Sequence, residues 1–147
     1  MSGRIIGQPQ TPWHLWVVGL LALLWNAGGV YSWYSVMLGD PEAMGFPADA
    51  IAYLQNYPAW ALVAYTMGTW GAFLGSLELL ARKALARWLF VIAIIGLGGT
   101  TLYERVFSTL PQSLQGTGQI IFTVIIWATT LALLLYARAM SNKGVLR

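Results

Sequence analysis

Four long stretches with no Lys, Arg, Asp or Glu near their centres dominate this chain and limit what it can fold into. They run from Trp13 to Val36, Pro58 to Leu80, Trp88 to Val106 and Gln119 to Tyr136. Crossing the ~30 Å hydrocarbon core of a bilayer takes about 20 mostly apolar residues, so each stretch is long enough to span. Water-soluble helices of that length need a polar face. With 58% hydrophobic and 9% charged residues in 147 positions, the chain has too little polar surface to provide four such faces. A β-barrel would need alternating segments of about 10 residues, and none appear. The expected fold is all-α, a four-helix transmembrane bundle forming a single membrane domain over the whole chain. The first stretch does not read as a cleaved signal peptide. It is too long, only Arg4 precedes it, and the bulky run Tyr31-Ser32-Trp33-Tyr34 follows where small residues would be needed.

Orientation follows from the basic residues. Arg4 precedes the first span, Arg82, Lys83 and Arg87 separate the second and third, and Arg138, Lys143 and Arg147 follow the fourth. Seven of the eight therefore fall on one side, and Arg105 falls on the other with Asp40, Glu42, Asp49 and Glu104. Cytoplasmic loops carry the excess of Lys and Arg, so both termini are expected inside a bacterial inner membrane, with the acidic loops in the periplasm. Trp13, Trp16, Trp88 and Tyr136 mark the inner boundary, and Tyr31, Trp33, Tyr34, Trp60 and Tyr103 the outer one.

The loops carry punctuation. Thr11-Pro12 fits an N-cap followed by proline in the first turn, and Tyr57-Pro58 repeats the device. Gly39-Asp40-Pro41 reads as a turn. From Pro47 onward Ala50, Ile51, Leu54 and Tyr57 recur at helical spacing, which predicts a short amphipathic helix in the first periplasmic loop, lying on the membrane surface or capping the bundle. Glu78 stands four residues before Arg82, the order that favours an ion pair on a helix. His14 reads as an interfacial side chain.

Within the spans, Asn26 is the most informative residue. At 1.5 Å per residue it lies about 20 Å from Trp13 along a helix of roughly 31 Å, near the midplane. An amide there must find a partner or lose several kcal/mol. It is either interhelical glue or a ligand contact. Trp25, Trp70 and Trp127 fall at similar depth, with Thr69, Thr100, Thr129 and Thr130 nearby. These rings either fill grooves left by glycine or line a space for a flat apolar ligand such as a lipid tail, quinone or carotenoid. Gly68, Gly71 and Gly75 in the second span, and Gly96, Gly98 and Gly99 in the third, are small-residue positions where backbones can approach.

Chemistry is sparse. The absence of Cys excludes disulfides, thiolate nucleophiles and Cys-based metal or iron–sulfur sites, and one His builds no His cluster within a chain. A net charge of +3 is too thin for a nucleic-acid surface. No Ser/His/Asp set, paired mid-membrane carboxylates or phosphate loop is present. The expectation is a non-enzymatic membrane protein with no cofactor and no metal. It would be an accessory or packing subunit in the lipid bilayer, with a membrane-protein partner or as a homo-oligomer, and the alternative is a small-solute transporter or channel acting as an oligomer.

The runs Leu24-Trp25-Asn26-Ala27-Gly28-Gly29, Asn56-Tyr57-Pro58-Ala59-Trp60, Trp70-Gly71-Ala72-Phe73-Leu74-Gly75-Ser76-Leu77, Arg82-Lys83 and Tyr136-Ala137-Arg138-Ala139-Met140 together resemble a group of small four-span inner-membrane proteins of proteobacteria. Some of that group carry the label of sugar transporter. The resemblance covers nearly the whole chain, implies four spans, and brings no catalytic residues with it.

Overall fold

The computed structural model describes residue 7 and residues 9–147, so Arg4 and most of the segment before Gln10 lie outside the described residues. Five α-helices follow one another: α1 (Trp13–Met37), α2 (Ala48–Gln55), α3 (Ala59–Leu80), α4 (Leu85–Leu102) and α5 (Thr117–Asn142). A π-helical turn, Tyr103–Phe107, continues α4, and no strand occurs among the described residues. Three helical segments are long and apolar enough to cross a membrane: Trp13–Met37, Leu85–Phe107 and Thr117–Asn142. The fourth expected span, α3, has 22 residues, but Gly, Ser, Thr and aromatic side chains together with Glu78 dilute its apolarity. Those same small residues bury it, since α3 packs against α1 on one side and α4 on the other. α5 runs to Asn142, six residues past the expected end at Tyr136.

α3 and α4 make the closest pair, and α4 then packs on α5. Small residues set the α3–α4 approach. A Cβ on Gly96 would lie 2.3 Å from the Gly68 nitrogen, one on Gly71 would lie 3.1 Å from the Leu89 oxygen, and one on Gly99 would lie 2.8 Å from the Ala64 Cβ. Gly75 faces the Phe90 ring, whose nearest atom would stand 3.0 Å from an added Cβ. All five packing glycines, Gly68, Gly71, Gly75, Gly96 and Gly99, thus lie along one seam. Gly98 stands beside the Trp127 ring instead.

The expected N-cap at Thr11 needs correction. Pro12, Pro47 and Pro58 each occupy the cap position themselves in extended conformation, and none provides a side-chain bond. Proline at that point commits the chain to leave an extended segment and enter the helix on the next residue. Thr11 Oγ1 instead accepts a 2.7 Å bond from Arg82 Nη1. The expected Glu78–Arg82 pair is also absent. Arg82 takes φ 58°, the left-handed position of a helix C-terminal motif in which Lys83 N donates to Glu78 O and Arg82 N to Leu79 O. That turn carries the Arg82 side chain away from the face of Glu78, and Lys83 Nζ takes its place 3.5 Å from Glu78 Oε2. A second motif of the same type, with Gly144 at φ 71°, ends α5 and turns the chain back. Val145 and Leu146 are buried there, and Arg147 N and O bond Arg82 O and Ala84 N at 2.8 Å each.

At the opposite end α2 caps the bundle. Asp40 Oδ1 accepts from the amides of Glu42 and Ala43, which makes the expected turn. Tyr57 donates to Glu104 Oε1 at 2.7 Å, Tyr53 pairs with Ser108 at 2.5 Å, and the Asp49 carboxylate accepts from Ser113 N at 3.3 Å. Burial first, then the adjacent Glu104 carboxylate, pushes the Tyr57 phenol above its ordinary range. Asp49 is held below the usual carboxylate range, chiefly by the Ser113 side chain. Its contribution is present above its unfolded pKa and disappears as pH falls through the lowered folded value.

Candidate functional site

Several polar side chains near the middle of the bundle bond one another or their own helices. Asn26 Nδ2 donates to Ser76 Oγ at 2.9 Å, joining α1 to α3, and Ser76 Oγ in turn donates to Ala72 O at 2.9 Å. A serine on α3 is thus the partner that the Asn26 amide requires. Thr100 and Thr130 donate to Gly96 O and Ile126 O on their own helices. Trp33 Nε1 reaches Thr66 Oγ1 at 3.0 Å, and Trp127 Nε1 reaches Thr101 Oγ1 at 3.2 Å.

The candidate ligand residues Asn26, Trp25, Trp70 and Trp127 do not converge on one space. Trp70 stands edge-on to Trp33 and Phe73 with centroids 5.7 and 6.1 Å away. Trp127 lies against α4 through Thr101 and Gly98. Trp25 alone lines an open groove between α1 and α5, with its ring 6.0 Å from Phe122. The groove has a volume of about 390 Å³ and is bounded by Val18, Leu21, Ala22 and Trp25 on α1 and by Thr129, Ala132 and Leu133 on α5. Its chemistry is almost wholly apolar, because the Thr129 hydroxyl is turned onto Ile125 O and Ile126 O of its own helix. Below it the two helices are tied by His14 Nδ1 and the Tyr136 hydroxyl at 2.5 Å, so His14 is a helix-to-helix contact.

A second pocket, of about 330 Å³, opens between α4 and α5 beside Arg87 and Arg138. The largest aromatic cluster, Tyr53, Tyr57, Trp60, Tyr103 and Phe107 around Glu104, is packed on itself with centroids 4.8–6.2 Å apart. No group of three or more His, Cys, Asp or Glu placed to hold a metal occurs among the described residues. The chain matches no family model, and comparison with curated proteins and with solved structures returns no match.

The Asn26–Ser76 bond gives a direct test of glue against ligand contact. Ser76 keeps its donor bond to Ala72 when Asn26 is removed, so no buried hydroxyl is orphaned. Asn26→Leu is therefore expected to cost only about 1 kcal/mol. A double-mutant cycle with Ser76→Ala, read by unfolding in detergent, should return most of that value as coupling. Zero coupling, with loss of a co-purifying molecule from Asn26→Leu alone, would make Asn26 a ligand contact instead.

Proposed function

We propose that this chain is a non-enzymatic integral membrane protein, a four-span accessory or packing subunit that associates laterally through the face formed by α1 and α5. The partner is a second copy or another membrane chain. The observation that carries this is the open, apolar groove of about 390 Å³ at Trp25. The α3–α4 seam is closed tightly, backbone against backbone. The apolar stretches of α1 and α5, by contrast, are only 17% buried, against 28% for Leu85–Phe107, which leaves their apolar surface facing outward. Between helices in lipid there is no hydrophobic driving force, and association comes from close van der Waals fit. A groove lined by the small residues Ala22 and Ala132 offers that fit to a side chain or ring entering from outside. The exposed Trp25 ring also supports a flat apolar ligand, a lipid, quinone or carotenoid, as the occupant. A transporter or channel would need a polar stripe through the bundle. The mid-bundle groups Asn26, Ser76, Thr100 and Thr130 are instead engaged with one another or with backbone carbonyls, which favours packing over transport.

Sidedness belongs to the same proposal. Arg82, Lys83, Arg87, Arg138, Lys143 and Arg147 would face the cytoplasm of a bacterial inner membrane, by the excess of basic residues at that end. Single cysteines at Ala84 and Lys143 should then resist an impermeant thiol reagent in intact cells, while those at Gly45 and Gln115 react. On the same purified protein, Ala132→Trp should fill the groove and release the partner chain or retained apolar ligand. Labelling of Ala84 from outside would reverse the orientation. Unchanged mass and unchanged retained molecules in Ala132→Trp would remove the groove from the function.

A further inference from the structure

Arg87 stands in the first turn of α4 and Arg138 in the last third of α5, and both line the pocket of about 330 Å³ with Trp88, Val91 and Leu134. Arg87 Nε is buried and has no hydrogen-bond partner among the described residues. Its guanidinium carbon lies 5.3 Å from the Trp88 ring centroid, while Arg138 is exposed. The ion pair found among the described residues joins Lys83 to Glu78, so neither guanidinium is paired with a carboxylate among them. The first turn of α4 has no acidic residue and no side-chain cap, and the oxygen at its N-cap amide is Arg147 O, bonded to Ala84 N. Two uncompensated cations around one pocket repel each other, and an unpaired buried donor is costly. An anion between them removes both penalties.

The walls say which kind of anion. Val91 lies one helical turn deeper than Arg87, and Leu134 one turn deeper than Arg138. The pocket therefore grades from a cationic rim to an apolar floor. Guanidinium groups match phosphate oxygens in a two-pronged geometry, and basic pockets between membrane helices suit lipid headgroups. We propose that Arg87 and Arg138 form a binding site for the phosphodiester headgroup of an anionic phospholipid, with Val91 and Leu134 against the start of its acyl chains. A free phosphate shares the headgroup chemistry but would leave the apolar floor uncovered. A zwitterionic lipid would bring an ammonium group to a cationic rim.

This site rests on the membrane reading above, and the experiment separates the two. The full chain is first floated with vesicles of phosphatidylcholine containing phosphatidylglycerol; failure to float overturns the membrane reading itself. The protein purified in detergent is then titrated with phosphatidylglycerol, phosphatidylcholine or inorganic phosphate, and bound molecules are counted by native mass spectrometry. Phosphatidylglycerol should bind about tenfold more tightly than phosphatidylcholine, and Arg87→Gln and Arg138→Gln should each weaken it about fivefold. Arg105→Gln, at the opposite end, should change nothing. Because Arg138 is exposed, Arg138→Gln is expected to keep the helical content of the parent. Arg87→Lys, which keeps the charge and loses the fork, should bind less than the parent and more than Arg87→Gln. Equal retention of the two lipids, or unaltered binding by the Gln variants, would overturn the site. Displacement of phosphatidylglycerol by equimolar inorganic phosphate would overturn the lipid as its occupant.

Discussion

Gly96→Ala is expected to destabilise the bundle by about 3 kcal/mol, at the top of the ordinary overpacking range. Alanine normally improves a helix interior by about 1 kcal/mol over glycine, so the sign depends on what the new methyl meets. At Gly96 it would meet the Gly68 nitrogen at 2.3 Å, the Ala64 oxygen at 2.5 Å and the Gly68 Cα at 2.9 Å. All three are backbone atoms of α3, and no rotamer change relieves them. The helices must move apart by about an ångström, and every dispersion contact along the seam weakens with that gap. Gly28 is the control. A Cβ there would have nothing within 4 Å, so Gly28→Ala should leave the melting temperature unchanged or raise it. Thermal unfolding of both variants in one detergent, followed by helical circular dichroism, checks the pair. Equal melting temperatures would mean that the α3–α4 seam is not a constraint on the fold.

The same seam shows how much of this molecule was legible in its sequence. Glycines in the second and third stretches announced close helix contact, because few other residue types leave a backbone bare. The presence and ends of α1 and α3 also followed, to within a residue or so, from long stretches without central charge that open after Pro12 and at Pro58. Depth along a helix was countable too, which is why Trp25, Trp70 and Trp127 were grouped. Azimuth was not countable. α1 has almost no amphipathic asymmetry, and periodicity therefore does not report which of its faces turns inward. The structure accordingly sends Trp70 to Trp33, Trp127 to Thr101, and Trp25 to the α1–α5 groove. The pairs Asn26–Ser76 and His14–Tyr136 join residues 50 and 122 positions apart. A single sequence shows that such polar groups need partners without showing which ones. The return of the chain after Gly144, which buries Val145 and Leu146, was hidden for a different reason. Two apolar residues beyond a basic stretch are too short a signal to separate from a solvated tail.

Phe90→Ala should have the other large effect, about 2–4 kcal/mol. The ring is fully buried, and it belongs to the cluster with Leu15, Leu79, Ala86, Leu133, Ala137, Met140, Val145 and Leu146 that draws α1, α3, α4, α5 and the returning chain together at the basic end. Removing a buried Phe costs about 3–5 kcal/mol in water-soluble cores. Part of that figure is transfer from water, which unfolding in detergent does not supply, so the cavity and lost dispersion contacts set the lower value here. Across the ring lies Gly75, where an added Cβ would stand 3.0–3.2 Å from three atoms of Phe90. Gly75→Leu alone should therefore destabilise by overpacking, while Gly75→Leu with Phe90→Ala should recover part of the loss, because the leucine enters the space the ring vacates. The measurement is a double-mutant cycle of unfolding in detergent, and the expected sign is a favourable coupling of more than about 1 kcal/mol. Additive losses would show that Gly75 and Phe90 do not share a contact, and the α3–α4 seam would then need a different register. The groove at Trp25 is lined by α1 and α5 residues that the swap leaves in place, so retained partner or ligand should not change in the repacked variant. Loss of that molecule with the fold intact would instead couple the closed seam to the open face.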